Sequence, residues 1–128
     1  MPREIPWNAL GRGAELFNQG LFWEAHEAWE ELWLELEDEP KIFVQGLIQV
    51  AAAGHKAFAQ LQPRGCVKLL RAALEKLSAS PPDYLGVETR KFVPALQRML
   101  AEALRWEAGD VDGLQRALMP SIEVMQLP

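Results

Sequence analysis

Apolar side chains recur along this chain at alternating three- and four-residue steps, which is the spacing of one face of an α-helix. Glycine and proline residues interrupt the pattern at regular points and mark the ends of successive helices. The pattern predicts five helices, over residues 8–18, 22–36, 40–61, 63–79 and 89–108. It also predicts a short sixth helix over 111–118 and an extended tail over 119–128.

The second and third of these helices differ in how much of their surface is apolar. The second has one apolar stripe and a separate glutamate stripe, so one face packs on a core and the other meets water. The third is apolar on nearly all sides, which predicts the central, most buried helix. Short loops favour antiparallel neighbours. We therefore predict an all-α fold, an antiparallel helical bundle of five or six helices built from helix hairpins. It is expected to form one domain over 1–128, with its core at 8–108.

Composition and charge argue against two classes of partner, nucleic acids and membranes. The chain has 128 residues, 49% of them hydrophobic, and a net charge of −5. Such an acidic domain lacks the basic surface of a nucleic-acid binder and is repelled by anionic membranes. The N-terminus lacks the apolar segment of a signal peptide, and the longest apolar run is too short to span a bilayer. We expect a cytoplasmic protein with neither a nucleic-acid nor a membrane partner.

Chemistry-bearing residues concentrate in the stretch FWEAHEAWEELW of the second helix. His26, Glu30 and Trp33 fall on one arc of the helical wheel, with Trp23 beside Glu30. This arc is distinct from the glutamate stripe. On the third helix Gln45, Gln49 and Lys56 share a polar arc, and His55 lies further round. If the two helices form a hairpin, these polar arcs face each other.

Three interpretations of these residues stay open. The first is a structural hydrogen-bond network, because buried polar groups must be paired. The second is a small-ligand or metal pocket, in which His26, Glu30 and His55 are the candidate metal ligands. The segment HEAWE departs from the HExxH zinc motif, in which a second histidine would stand at Glu30.

The third interpretation is acid–base catalysis, with His26 as the base and Glu30 as the carboxylate that orients it. No nucleophile stands out in the sequence. Cys66, the one cysteine, lies on the apolar stripe of the fourth helix, where a thiol behaves as a small hydrophobe.

The segments FNQGLFWEAHEAWEELW, FVQGLIQVAAAGHK and RGCVKLLRAALEKL together resemble the domain-of-unknown-function 309 family over residues 16–77. The family signature is G-x-[FY]-[WY]-E-x-H-E-x-W-E-x-x-W followed by Q-G-L-I-Q. The resemblance implies an all-α fold and no established activity. Cys66 stands where the family typically has alanine, which argues against a catalytic thiol. The positions that match the family pattern are Glu24, His26, Glu27, Trp29, Glu30, Trp33, Gln45, Gly46, Gln49 and His55.

We expect a non-enzymatic binding or protein-interaction domain with a polar pocket between the second and third helices. Its predicted binding residues are Glu24, His26, Glu27, Glu30, Trp33, Gln45, Gln49 and His55. The alternative is a metal-dependent or acid–base hydrolase centred on His26, Glu30 and His55. No cofactor is expected, and the protein or small-molecule partner stays open. The tryptophan-rich helices and an apolar tail at Ile122, Val124 and Leu127 predict a homodimer.

Overall fold

A computed structural model describes residues 4–125, and five α-helices make up most of them. Each helix packs against the next one in the sequence. The prediction of an all-α helical bundle is confirmed. Within residues 4–125, no helix combines the length and the apolar character that a bilayer crossing requires. The helices are α1 (Asn8–Asn18), α2 (Phe22–Trp33), α3 (Asp38–Phe58), α4 (Pro63–Ser78) and α5 (Thr89–Glu107).

The core is centred on α3, which packs against both α2 and α4. Val44, Leu47 and Val50 of this helix are fully buried, as its nearly uniform apolar surface predicts. The α1–α2 hairpin is antiparallel. The rings of Phe17 and Phe22 meet 5.2 Å apart beside the loop, and Leu10 and Trp29 meet about two turns further along.

Helix ends differ from the predicted ones by a few residues. α2 ends at Trp33 instead of 36, because Glu35 and Leu36 donate hydrogen bonds to carbonyls three residues earlier and tighten the last turn. Leu36 nevertheless stays buried in the core. α3 ends at Phe58 instead of 61, and Leu61 adopts a left-handed backbone conformation, with φ of 53°, that cannot continue the helix.

The predicted sixth helix over 111–118 is wrong. Only Arg116–Leu118 forms a single 3-10 turn. The guanidinium of Arg116 lies 4.8 Å from the ring centre of Phe22 and 5.2 Å from that of Phe58. These cation–π contacts with Phe22 of α2 and Phe58 of α3 fix the position of the segment without a helix.

After this turn the tail runs back across the bundle. Val124 forms an antiparallel bridge with Val87, and Ile122 is buried in the protein's own core. Leu127 lies outside the described residues. Because Ile122 is covered within its own chain, it is not available to a second copy. The homodimer stays a prediction that rests on the tryptophans and on the rest of the tail.

Candidate functional site

Helix α2 divides its residues between the core and the surface. Phe22, Ala25, Trp29 and Leu32 are buried, which fixes the orientation of the helix. His26 and Trp33 are half-buried, whereas Trp23 and Glu30 are exposed. The polar arc predicted from the sequence is therefore a border between core and water, not a fully buried network.

The register of α2 against α3 shows which polar residues are neighbours. The ammonium of Lys41 lies 4.2 Å from the ring centre of Trp33, and the rings of Trp23 and His55 are 5.2 Å apart. Gln49 shares an arc of α3 with Lys56, and Lys56 contacts Gln62 and Gly65 at the start of α4, so Gln49 lies on the side of α3 away from His55. We call the border between α2 and α3 the α2–α3 seam and define it by Trp23, His26, Glu30, Trp33 and His55.

The indole of Trp23 contacts both histidines of the protein. It stacks on the His26 ring with centroids 4.8 Å apart and planes 8° apart, and it meets the His55 ring at 45°. The sequence predicted Trp23 only as a neighbour of Glu30 and did not predict its contacts with the two imidazoles. They depend on the hairpin register, for which the sequence carries no signal.

The predicted metal set is not assembled. In the part of the chain that the structure describes, no group of three or more His, Cys, Asp or Glu side chains could hold a metal ion. Each imidazole of the proposed set packs against Trp23, and the carboxylate of Glu30 is exposed. His26, Glu30 and His55 therefore lie along one seam without converging on a point.

The pair of His26 and Glu30 is close but not hydrogen-bonded. His26 Nδ1 and Glu30 Oε2 are 3.5 Å apart, which is within reach of an ion pair if the imidazole is protonated. The geometry does not form a hydrogen bond, so Nδ1 is buried without a partner. The carboxylate is thus near enough to orient the imidazole only after a small movement of either side chain.

Two buried polar atoms of the seam, His26 Nδ1 and Trp33 Nε1, make no hydrogen bond to any group in residues 4–125. Gln49 Oε1, elsewhere on α3, is also buried without a partner there. A buried polar atom left in this state destabilises a fold by about 1–3 kcal/mol. Groups of this kind are rare in folded proteins and call for a specific explanation.

The remaining predicted residues lie around the seam. Glu24 and Glu27 are exposed on the outer side of α2 and make no ion pair within residues 4–125. Glu31 is bound by Arg12 at 2.8 Å. Gln45 is half-buried on α3, one turn before Gln49. Neither Glu24 nor Glu27 caps a neighbouring helix, and both leave a negative surface beside the seam.

Cys66 takes no part in this site. It is fully buried on α4, and burial raises the pKa of its thiol to about 11. A thiol with such a pKa carries almost no thiolate at neutral pH, so it is a poor nucleophile. The structure therefore supports the interpretation that Cys66 is a packing residue of the core.

Comparison with known proteins shows one relative and one family-model match. An uncharacterised protein of Aquifex aeolicus strain VF5 is 31% identical over 99 residues. The match covers 71% of this chain but 29% of the relative, so the chain spans less than a third of that protein's length. The family model described as "Domain of unknown function (DUF309)" matches residues 10–69, which include all of α2 and α3. The resemblance predicted from the sequence is thereby confirmed, since the DUF309 family model matches residues 10–69.

Proposed function

We propose that this domain is a non-enzymatic binding module whose site is the α2–α3 seam, and that its partner is a basic polypeptide segment. The observation that carries the proposal is that His26 Nδ1 and Trp33 Nε1 make no hydrogen bond within residues 4–125, in half-buried side chains beside the exposed Trp23 and Glu30. All four residues belong to the region that matches the family model. Polar groups that a partner completes are a common feature of binding sites.

The chemistry of these atoms fits a polypeptide. The indole N–H of Trp33 needs an acceptor, and His26 Nδ1 accepts from a donor in the tautomer that carries its proton on Nε2. A peptide backbone offers a carbonyl and an N–H at every residue, so it supplies both kinds of group once a small movement of these half-buried side chains exposes the two atoms.

Charge and aromatic exposure favour a basic segment. The chain carries a net charge of −5, and Glu24, Glu27 and Glu30 are exposed along the outer side of α2. Trp23 is 47% exposed and presents an indole surface beside them. An arginine side chain stacks on such a ring while its guanidinium binds carboxylates.

The hydrolase alternative has less support. A metal mechanism needs three ligands around one point, and no such group of side chains is present among residues 4–125. An acid–base mechanism retains the pair of His26 and Glu30 at 3.5 Å. No side chain of the seam is a nucleophile, and Cys66 is buried on α4 with a raised pKa, so such a mechanism would require water as the nucleophile.

The test uses the indole N–H signals of the five tryptophans in a nitrogen–proton correlation spectrum. A synthetic peptide of alternating arginine and glycine is titrated into the labelled protein, and the same peptide with glutamate in place of arginine is the charge control. We expect the Trp33 and Trp23 signals to shift with the arginine peptide. Trp29, whose N–H is buried and bound to Leu10, is the internal reference that stays in place.

Substitutions separate hydrogen bonding from charge. Trp33→Phe keeps an aromatic ring but removes the N–H, and His26→Phe keeps a ring but removes the Nδ1 acceptor. Each should weaken binding about tenfold, because a hydrogen bond to a buried group is lost. Glu107→Gln, at the exposed end of α5, should leave binding unchanged. If the arginine peptide moves no signal of the seam at millimolar concentration, the proposal fails.

A further inference from the structure

A second concave surface lies apart from the α2–α3 seam, between α1 and the C-terminal tail. It is a groove of about 840 Å³, in the size range of ligand-binding clefts. None of the residues that define the seam lines it. The lining residues are Trp7, Asn8, Leu10, Gly11, Arg12, Glu15, Leu85, Gly86, Val124 and Met125.

The tail presents an open backbone edge to this groove. The N–H of Glu88 donates to the carbonyl of Glu123 at 2.9 Å, and the N–H of Met125 donates to the carbonyl of Gly86 at 2.7 Å. In this antiparallel pattern the N–H and C=O of Val124 point away from the paired strand. Neither group makes a hydrogen bond within residues 4–125.

At Ile122, on the same edge, the side chain of Asn18 already occupies the position that a neighbouring strand would take. Ile122 precedes Val124 by two residues, so the backbone groups of both lie on one edge. The Asn18 amide donates to the Ile122 carbonyl and accepts from the Ile122 N–H, each at 2.8 Å. This planar amide pairs with the edge as a peptide unit would, and the next pairing position, Val124, opens into the groove.

We propose that an extended polypeptide segment binds in this groove and pairs with Val124 as an added strand. Main-chain hydrogen bonds at Val124 provide the register, and the apolar surface of Trp7, Leu10 and Leu85 receives every second side chain. The segment therefore alternates apolar and polar residues. The tail of a second copy fits the groove less well. One edge of that tail faces α1 of its own chain, and the other edge is already hydrogen-bonded to residues 86–88 of its own chain.

Gly11 provides a blocking substitution with a matched control. It lines the groove, and a Cβ added to it meets no atom within 4 Å. Gly11→Phe places an aromatic ring in the groove, whereas Gly11→Ala adds only a methyl group. The probe is a short capped peptide of alternating threonine and valine, titrated into nitrogen-labelled protein.

We expect the peptide to shift the Val124 amide signal and to slow its hydrogen exchange. Gly11→Phe should weaken binding at least about tenfold, and Gly11→Ala should stay within about twofold of the natural protein. The same peptide N-methylated on the residues that pair with Val124 should also bind about tenfold more weakly, because it has lost its donors. This last comparison leaves the protein unaltered, so it stands even if Gly11→Phe fails to fold.

Three results would overturn the proposal. The first is no change at Val124 with millimolar peptide. The second is equal binding by the natural protein and a folded Gly11→Phe variant. The third is a Val124 shift that follows protein concentration without peptide, which would assign the groove to a second copy of the chain.

Discussion

The indole N–H of Trp29 donates a hydrogen bond of 3.0 Å to the carbonyl oxygen of Leu10, across the α1–α2 hairpin. Trp29 is fully buried, so this bond satisfies the polar atom of the largest side chain in the core. The ring lies directly on Gly13, where an added Cβ would overlap the indole. The glycine thus lets α1 approach α2 closely enough for the bond to form.

Gly13→Ala should destabilise the protein, although alanine favours a helix by about 1 kcal/mol over glycine. The overlap with Trp29 forces a shift of buried groups, which typically costs about 1–3 kcal/mol. Gly11→Ala is the matched control on the same helix, because its added Cβ meets open space. It should stabilise the protein by about 0.5–1 kcal/mol. Urea unfolding of both variants measures the contrast, and a Gly13→Ala variant as stable as Gly11→Ala would contradict it.

Asn18 should matter far more than its exposed position suggests. Asn18→Ala leaves the N–H and C=O of Ile122 unpaired, which should lower the free energy of unfolding by about 1–3 kcal/mol. Asn18→Asp keeps the acceptor for the N–H but sets a carboxylate against the carbonyl, so it should also be destabilising. Amide exchange at Ile122 should accelerate in Asn18→Ala. Gln19→Ala, at the exposed neighbouring position, is the control and should change stability by less than about 0.5 kcal/mol.

Leu61 occupies a left-handed backbone conformation, with φ of 53°, and its side chain is 71% exposed. A non-glycine residue pays about 1–2 kcal/mol for this conformation. Leu61→Gly should therefore raise the free energy of unfolding by about 0.5–1 kcal/mol, because little burial is lost. Leu34→Gly is the control: Leu34 is 64% exposed but has helical φ, so glycine should destabilise there. If both substitutions destabilise equally, the backbone of Leu61 is not strained.

The sequence predicted what local periodicity determines. The stripe through Phe22, Ala25 and Trp29 oriented α2 correctly, and the apolar surface of the 40–61 segment identified the buried helix. Helix ends were less predictable, since the tightened turn after Trp33 depends on Leu36 finding a place in the core.

Relationships between distant segments were beyond the reach of the sequence. The contact of Trp23 with both imidazoles depends on hairpin register, and the same register keeps His26 and His55 from sharing a ligand point with Glu30. The pairing of Asn18 with Ile122 joins residues 104 positions apart. No spacing rule connects them, because the tail follows neither helical nor strand periodicity. The groove beside Val124 depends on this pairing and was missed for the same reason.

Cys66 makes stability depend on pH in the alkaline range. Burial raises the pKa of its thiol from 9.0 to about 11, so above pH 9 the unfolded chain loses this proton before the folded protein does. The contribution is fully present below pH 9 and is lost as pH rises towards 11, at a cost of roughly 1–3 kcal/mol. Between about pH 8 and about pH 11, the natural protein should lose more stability than Cys66→Ala. Denaturant unfolding of both proteins under reducing conditions measures this difference in stability. The two proteins share every other titratable group, so the contributions of those groups cancel. Parallel pH profiles would show that the thiol ionises equally easily in the folded and unfolded chains.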